Sequence, residues 1–203
     1  MSLLAILLGL VVGLSFLYPR FISDRLGFIF MLPVIIYTVY FYIEWQFVSL
    51  FQLGVIISGG VCVGVALLFA GLPISAPKPK DFFINSARGL RLGLGFLKNN
   101  RDYLLFQVGI TCYEELIWRV FLISALLTML PAWAAVCLSS VLFWTVHEEN
   151  RPMGWHSLEF FIFATVLGVA YILTGSLLFV WMVHLTRNVL ILSASYYEAH
   201  QAS

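Results

Sequence analysis

Long apolar runs constrain this chain more than any other feature. Seven of them, near residues 2–18, 27–43, 47–72, 103–129, 132–151, 158–174 and 176–195, follow one another with polar breaks between. A bilayer core takes roughly 20 consecutive apolar residues per helical span. In lipid every backbone N–H and C=O must find its partner inside the protein, which leaves helices or closed barrels. Barrel strands would alternate in segments of about ten residues, whereas these runs are continuous. The sequence therefore predicts an all-α fold, a polytopic transmembrane helical bundle of about seven spans. Six and eight are the neighbouring counts, because the first run is short and Gly175 makes a weak cut between the last two. Hydrophobic residues make up 62% of the chain and charged residues 10%, against roughly 45–50% and about 25% in soluble domains. An ordinary soluble domain, a disordered chain and a secreted disulfide scaffold are thereby excluded.

The formal net charge of +1 gives no support to a nucleic-acid partner. Cys62, Cys112 and Cys137 lie inside apolar runs without metal or CxxC spacing and read as small buried residues. The first run has no basic segment before it and no small-residue cleavage site after it, so it is expected to be a retained span.

Basic residues set the expected orientation. Arg20 and Arg25 lie between the first two runs; Lys78, Lys80, Arg88, Arg91, Lys98 and Arg101 lie between the third and fourth. Two spans separate these loops, so they share a side, and the positive-inside rule makes that side cytoplasmic. The N-terminus is then outside and the C-terminus inside, and Arg151 also falls inside. The expected setting is multi-pass, in a bacterial or archaeal plasma membrane, with membrane lipid as a partner. The chain divides into a three-span segment (1–72), a cytoplasmic linker (73–102), a four-span core (103–195) and a tail (196–203) that holds His200. Within the linker, Phe83, Ala87, Leu90, Leu94 and Leu97 fall within about 40° of one line at about 100° per residue, with Arg88, Arg91 and Lys98 to one side. That pattern predicts an amphipathic surface helix over 81–100, although Gly89, Gly93 and Gly95 weaken it. Gly9-x-x-x-Gly13 and Gly60-x-x-x-Gly64 are patterns that let helices approach closely, and both are common by chance in apolar runs.

Ionisable residues inside a span cost roughly 2.5–3.5 kcal/mol each at the helix centre on insertion scales, and they mark functional paths. The fourth run nonetheless reads Cys112-Tyr113-Glu114-Glu115-Leu116-Ile117-Trp118-Arg119. At about 1.5 Å per residue the charged positions lie about 17–24 Å from its cytoplasmic start. Glu115 and Arg119 are four apart with the acid N-terminal, the better order for a helical ion pair. Glu114 points about 100° away and needs a partner from another span. The fifth run offers Phe143-Trp144-Thr145-Val146-His147. The seventh offers His184-Leu185-Thr186-Arg187-Asn188, with His184 and Asn188 on one face.

These three motifs, in this order and each on an expected span, resemble the CPBP family of type II CAAX prenyl endopeptidases and bacteriocin-processing membrane proteins. The resemblance covers roughly residues 100–195. It implies that the four-span core is catalytic, and that the protein is an intramembrane glutamate-dependent endopeptidase. Carried over by position, Glu114 and His147 would activate the attacking water. His184 and Asn188 would stabilise the oxyanion, and Glu115 and Arg119 would form a supporting ion pair. The chemistry agrees with those roles. A carboxyl beside an imidazole shares its proton and titrates with it as a unit. Preorganised N–H donors aimed at a developing oxyanion are worth roughly 3–4 kcal/mol each. The resemblance further implies a membrane-associated protein or peptide substrate, cut near the membrane surface in a lipid-modified or hydrophobic C-terminal segment.

No cofactor is expected. Zinc stays open, since two His and a Glu offer ligands, but a catalytic zinc site normally has three firm protein ligands, and the metal-free mechanism is preferred. Arg187 has two readings, a side chain snorkelling toward the cytoplasm or a carboxylate binder. Two other classes use the same residues: a non-proteolytic immunity or scaffold protein acting through helix contacts, and a proton-coupled carrier using the Glu/His chain.

Overall fold

The computed structural model describes residues 2–18, 21–43, 49–75, 78–147 and 154–201. Arg20 and Arg151, used above for orientation, lie outside them, as does the end of the fifth run. Among the described residues the regular elements are helices alone. In chain order they are α1 (Leu3–Leu17), α2 (Asp24–Phe41), α3 (Leu50–Ser75), α4 (Pro79–Arg91), α5 (Leu94–Asn99) and α6 (Arg101–Glu115). A π-helical segment (Leu116–Ile123) and α7 (Ser124–Leu126) continue α6. Then follow α8 (Ala132–His147), α9 (Trp155–Thr174) and α10 (Leu177–Gln201). Over its described residues each of the seven apolar runs is therefore largely helical. α3, α9 and α10 are each long and apolar enough to cross a membrane, and α1, α2 and α8 are shorter apolar helices. The protein is an all-α polytopic membrane protein.

The weak cut at Gly175 is a real helix end. Gly175 takes φ 60° and donates its N–H to the Tyr171 carbonyl at 2.8 Å. That left-handed cap is open to glycine without the Cβ penalty other residues meet.

The chain groups into two compact units, Met1–Phe47 with Tyr113–Leu177, and Val48–Cys112 with Leu178–Ser203. In the first unit the π segment is its most enclosed element: every residue from Ile117 to Ile123 is buried, in contact with α2, α8 and α9. α8 packs on α9, where a Cβ added to Gly168 would come within 2.9 Å of Val136 Cγ1. Lipid supplies no hydrophobic drive between helices, so small residues that permit close packing do this work.

In the second unit α3 meets α10 through one of the two glycine pairs. A Cβ on Gly60 would lie 2.7 Å from Met182 Cβ, and one on Gly64 would lie 2.7 Å from the Val183 carbonyl oxygen. Gly9 and Gly13, in the first unit, have nothing within 4 Å of their added Cβ positions.

α4 and α5 replace the single amphipathic helix expected over 81–100. The break is at Gly93, whose φ of 53° no straight helix accommodates. Gly89, which weakens a helix in isolation, is needed here, because a Cβ would run into the Ser193 carbonyl of α10. Around that approach Ser86 donates its hydroxyl to Leu190 O at 3.1 Å, and Ser193 donates to Ser86 O at 3.1 Å. Asn85 donates to Glu198 at 3.0 Å and Asn99 to the Tyr196 hydroxyl at 2.8 Å. The last turns, expected as a tail, thus continue α10 to Gln201 and carry α4 and α5. His200 belongs to this helix, its Nδ1 donating to Tyr196 O at 3.0 Å.

The cysteines also differ from expectation. Cys62 and Cys137 are exposed and Cys112 is half-buried. An apolar run in a membrane protein is hidden by lipid as well as by protein, so hydrophobicity alone does not say which side chains are packed.

Candidate active site

Glu114 and Glu115 are neighbours in sequence with opposite surroundings. Glu115 Oε2 lies 3.3 Å from Arg119 Nε, and the two side chains are 0% and 1% exposed. A dry ion pair needs partners on every side. Arg119 is supplied in part: its Nη2 donates to Ala164 O at 3.4 Å and its guanidinium carbon lies 4.4 Å from the centre of the Phe143 ring, while its buried Nε and Nη1 make no hydrogen bond among the described residues. Phe143 is itself sealed, stacked on Phe160 at 5.2 Å and tilted against Trp118 at 5.7 Å. The pair therefore fastens the π segment to α8 and α9. Ser139 reinforces it by donating its hydroxyl to Trp118 O at 2.6 Å.

Glu114 faces the other way, as the 100° offset requires. Its Oε1 lies 3.5 Å from His147 Nε2, and the side chains remain 17% and 27% exposed respectively. That opening distinguishes it from Glu115, since a reacting water can reach only the partly open carboxyl. On the far side of the imidazole, His147 Nδ1 lies 2.8 Å from the Phe143 carbonyl oxygen. A carbonyl only accepts, so Nδ1 carries a proton and Nε2 is left to face Glu114. Phe143 thus joins both systems, its ring under Arg119 and its carbonyl fixing the tautomer of His147. Tyr113 anchors the preceding turn by donating to Phe28 O at 3.3 Å.

The second unit holds the remaining motif. Asn188 Nδ2 donates to Gln107 Oε1 at 2.8 Å. Thr111 donates its hydroxyl to Gln107 O at 2.6 Å, and Trp181 Nε1 lies 3.1 Å from both Thr111 Oγ1 and Val108 O. His184 is 3% exposed and Arg187 4%. Both side chains are therefore packed inside the protein. The structure thus joins Glu114 to His147 in one unit, and sets His184 and Asn188 on α10 in the other. Among the described residues no three His, Cys, Asp or Glu side chains group so that they could hold a metal ion.

The model of the Rce1-like family, type II CAAX prenyl endopeptidases, matches residues 100–190. This segment is similar to the Rce1-like family. It takes in α6, the π segment, α8, α9 and the first half of α10, and hence every motif residue named above. The match is consistent with the CPBP family and implies CAAX-type intramembrane protease activity. No curated protein and no solved structure matches the chain.

Three parts of the matched segment are not among the residues singled out from the sequence. Gln107, Thr111 and Trp181 form the polar frame of Asn188. Their signal was present: two polar side chains four apart on one face of an apolar run, pointing away from lipid. The Phe143 carbonyl leaves no trace in a sequence, since every residue has one. The π segment leaves a faint one, in that acids and a base crowd its start, and π turns recur at functional sites.

Proposed function

We propose that this protein is a glutamate-dependent intramembrane endopeptidase in which Glu114 and His147 act as one proton-carrying unit. The observation that carries the reading is the Glu114–His147 contact, with Nδ1 held by the Phe143 carbonyl. Because Nδ1 keeps its own proton, the remaining Oε1/Nε2 gap holds either no further proton or one. Empty, the pair is the base: it takes a proton from water as the water oxygen attacks the peptide carbonyl carbon. Filled, it is the acid: it returns that proton to the departing amine as the C–N bond breaks. One centre serves both steps, as general acid–base catalysis requires. The 3.5 Å separation suits a resting site, since such contacts tighten when substrate binds.

The oxyanion role of His184 and Asn188 rests on the family resemblance and on their chemistry. Gln107 takes one of the two Nδ2 protons of Asn188, which fixes the amide with nitrogen on that side and leaves the second N–H to give. A buried imidazole N–H supplies the other donor. Glu115 and Arg119 have the supporting role, holding the helix that presents Glu114. The substrate is a membrane-associated protein or peptide with a lipid-modified or hydrophobic C-terminal segment. The cytoplasmic leaflet is the side of cleavage, from the positive-inside distribution of Lys and Arg.

The test is reconstitution of the full chain in liposomes with a farnesylated C-terminal peptide and, separately, an unmodified hydrophobic membrane peptide. New termini are read by mass spectrometry. Cleavage of either by wild type and its loss in Glu114→Gln and His147→Ala supports the proposal. Equal cleavage by Glu114→Gln overturns it. A reporter fused after residue 155 that proved extracytoplasmic would overturn the orientation alone.

A further inference from the structure

The second unit contains a groove that the proteolytic reading does not use. It lies between α3, α4 and α10, has a volume of about 120 Å³, and is walled by Leu68 and Leu72, by Phe83, Ala87 and Leu90, and by Leu190. Its single polar wall residue, Ser86, has its hydroxyl turned onto Leu190 O. A groove with this lining has nothing to offer water. Its rim, where Phe69 meets Phe83 edge-on at 4.6 Å, stays open: those rings are 37% and 47% exposed.

Charge at the rim identifies the occupant. Lys80 precedes Phe83 by three residues and Ala87 by seven, and Arg91 follows Ala87 by four, so all four share one side of α4. Both cations are exposed and neither forms a salt bridge among the described residues. The third cation of the helix, Arg88, sits about 60–80° further round it and is engaged by α10, donating to the Tyr197 hydroxyl at 3.2 Å with its guanidinium 5.6 Å from that ring. An apolar slot edged by two cations, on a membrane protein, is complementary to a molecule with an acyl chain and an anionic head. We propose that this groove binds one acyl chain of an anionic phospholipid, whose phosphate meets Lys80 and Arg91. Basic pockets between membrane helices hold lipid headgroups by this combination. A zwitterionic lipid offers the same chain but an internally neutralised head, so the site discriminates by headgroup.

Native mass spectrometry of the detergent-solubilised full chain tests this, with palmitoyl-oleoyl phosphatidylglycerol and the matching phosphatidylcholine as probes. The phosphatidylglycerol adduct is expected to persist to lower lipid concentration by roughly 25-fold, at about fivefold for each of the two cations. The Lys80→Ala/Arg91→Ala double variant, both sites exposed, abolishes the preference while leaving weak adducts of both lipids. Ala87→Phe fills the slot and weakens both lipids together. Arg88→Ala leaves the preference intact. Equal binding of the two lipids by wild type, or an undiminished preference in the double variant, overturns the proposal. So does a loss in Arg88→Ala as large as in the double variant. None of these residues belongs to the proposed catalytic machinery, so the outcome is independent of whether Glu114 cleaves peptides.

Discussion

The two units solve the same problem, polar groups inside a membrane helix, by opposite means. In the first, four ionisable side chains form two pairs, one sealed and one partly open. In the second, Arg187 and His184 are buried as well, but the hydrogen bonds that frame Asn188 are neutral: an amide on an amide, a hydroxyl on a carbonyl, an indole on a hydroxyl. Neutral hydrogen bonds fix directions without adding or losing protons, whereas a carboxyl–imidazole pair changes charge when a proton moves. The comparison separates a centre suited to proton transfer from one suited to holding a donor still.

Variants break this comparison in order of expected size. Glu114→Gln keeps the shape of the first centre and removes its base, and should lower the cleavage rate by roughly 10²–10⁴-fold with folding unchanged. Its readout is turnover of the reconstituted protein beside its unfolding profile. Arg119→Met strikes the sealed pair. Stranding a buried carboxylate should destabilise the protein by about 3–5 kcal/mol, seen as a lower denaturant midpoint. The Glu115→Leu/Arg119→Met double variant should recover much of that loss, because it removes the orphaned charge. If it unfolds as readily as Arg119→Met, the pair does more than neutralise itself. Asn188→Ala probes the neutral centre and should reduce kcat by roughly 10²–10³-fold with KM little changed, as removal of an oxyanion donor does. A rise in KM alone would assign Asn188 to substrate binding instead. Smallest is the contrast of glycines. Gly64→Val, against the Val183 carbonyl, should cost about 1–3 kcal/mol through overpacking. Gly9→Ala with Gly13→Ala, facing open space inside α1, should meet no clash and stabilise the protein by about 1–2 kcal/mol through helix propensity.

Much of this was legible in the residues. Seven apolar runs became helices because lipid leaves the backbone no alternative. Glu115 and Arg119 found each other because a helix sets residues four apart on one face. Glu114 had to look elsewhere for the same reason. What was not legible concerns neighbours distant in sequence. Gly60-x-x-x-Gly64 and Gly9-x-x-x-Gly13 are the same pattern, yet one is pressed against α10 and the other faces nothing within 4 Å. The linker read as one amphipathic helix and the end of the chain as a tail. The break at Gly93 and the docking of α4 and α5 onto the last turns of α10 depend on contacts about a hundred residues apart.

The sequence by itself determined that this chain is helical, lives in lipid and carries acids, imidazoles and an amide where lipid tolerates few polar groups. Those properties are local, set by backbone satisfaction and by the turn of a helix. Tertiary structure alone decided which of two adjacent glutamates is sealed and which stays open. It also decided that a phenylalanine carbonyl fixes the proton on His147, and that a glutamine steadies Asn188. Each of these turns on the few ångströms between separate helices, a distance that no spacing along the chain encodes.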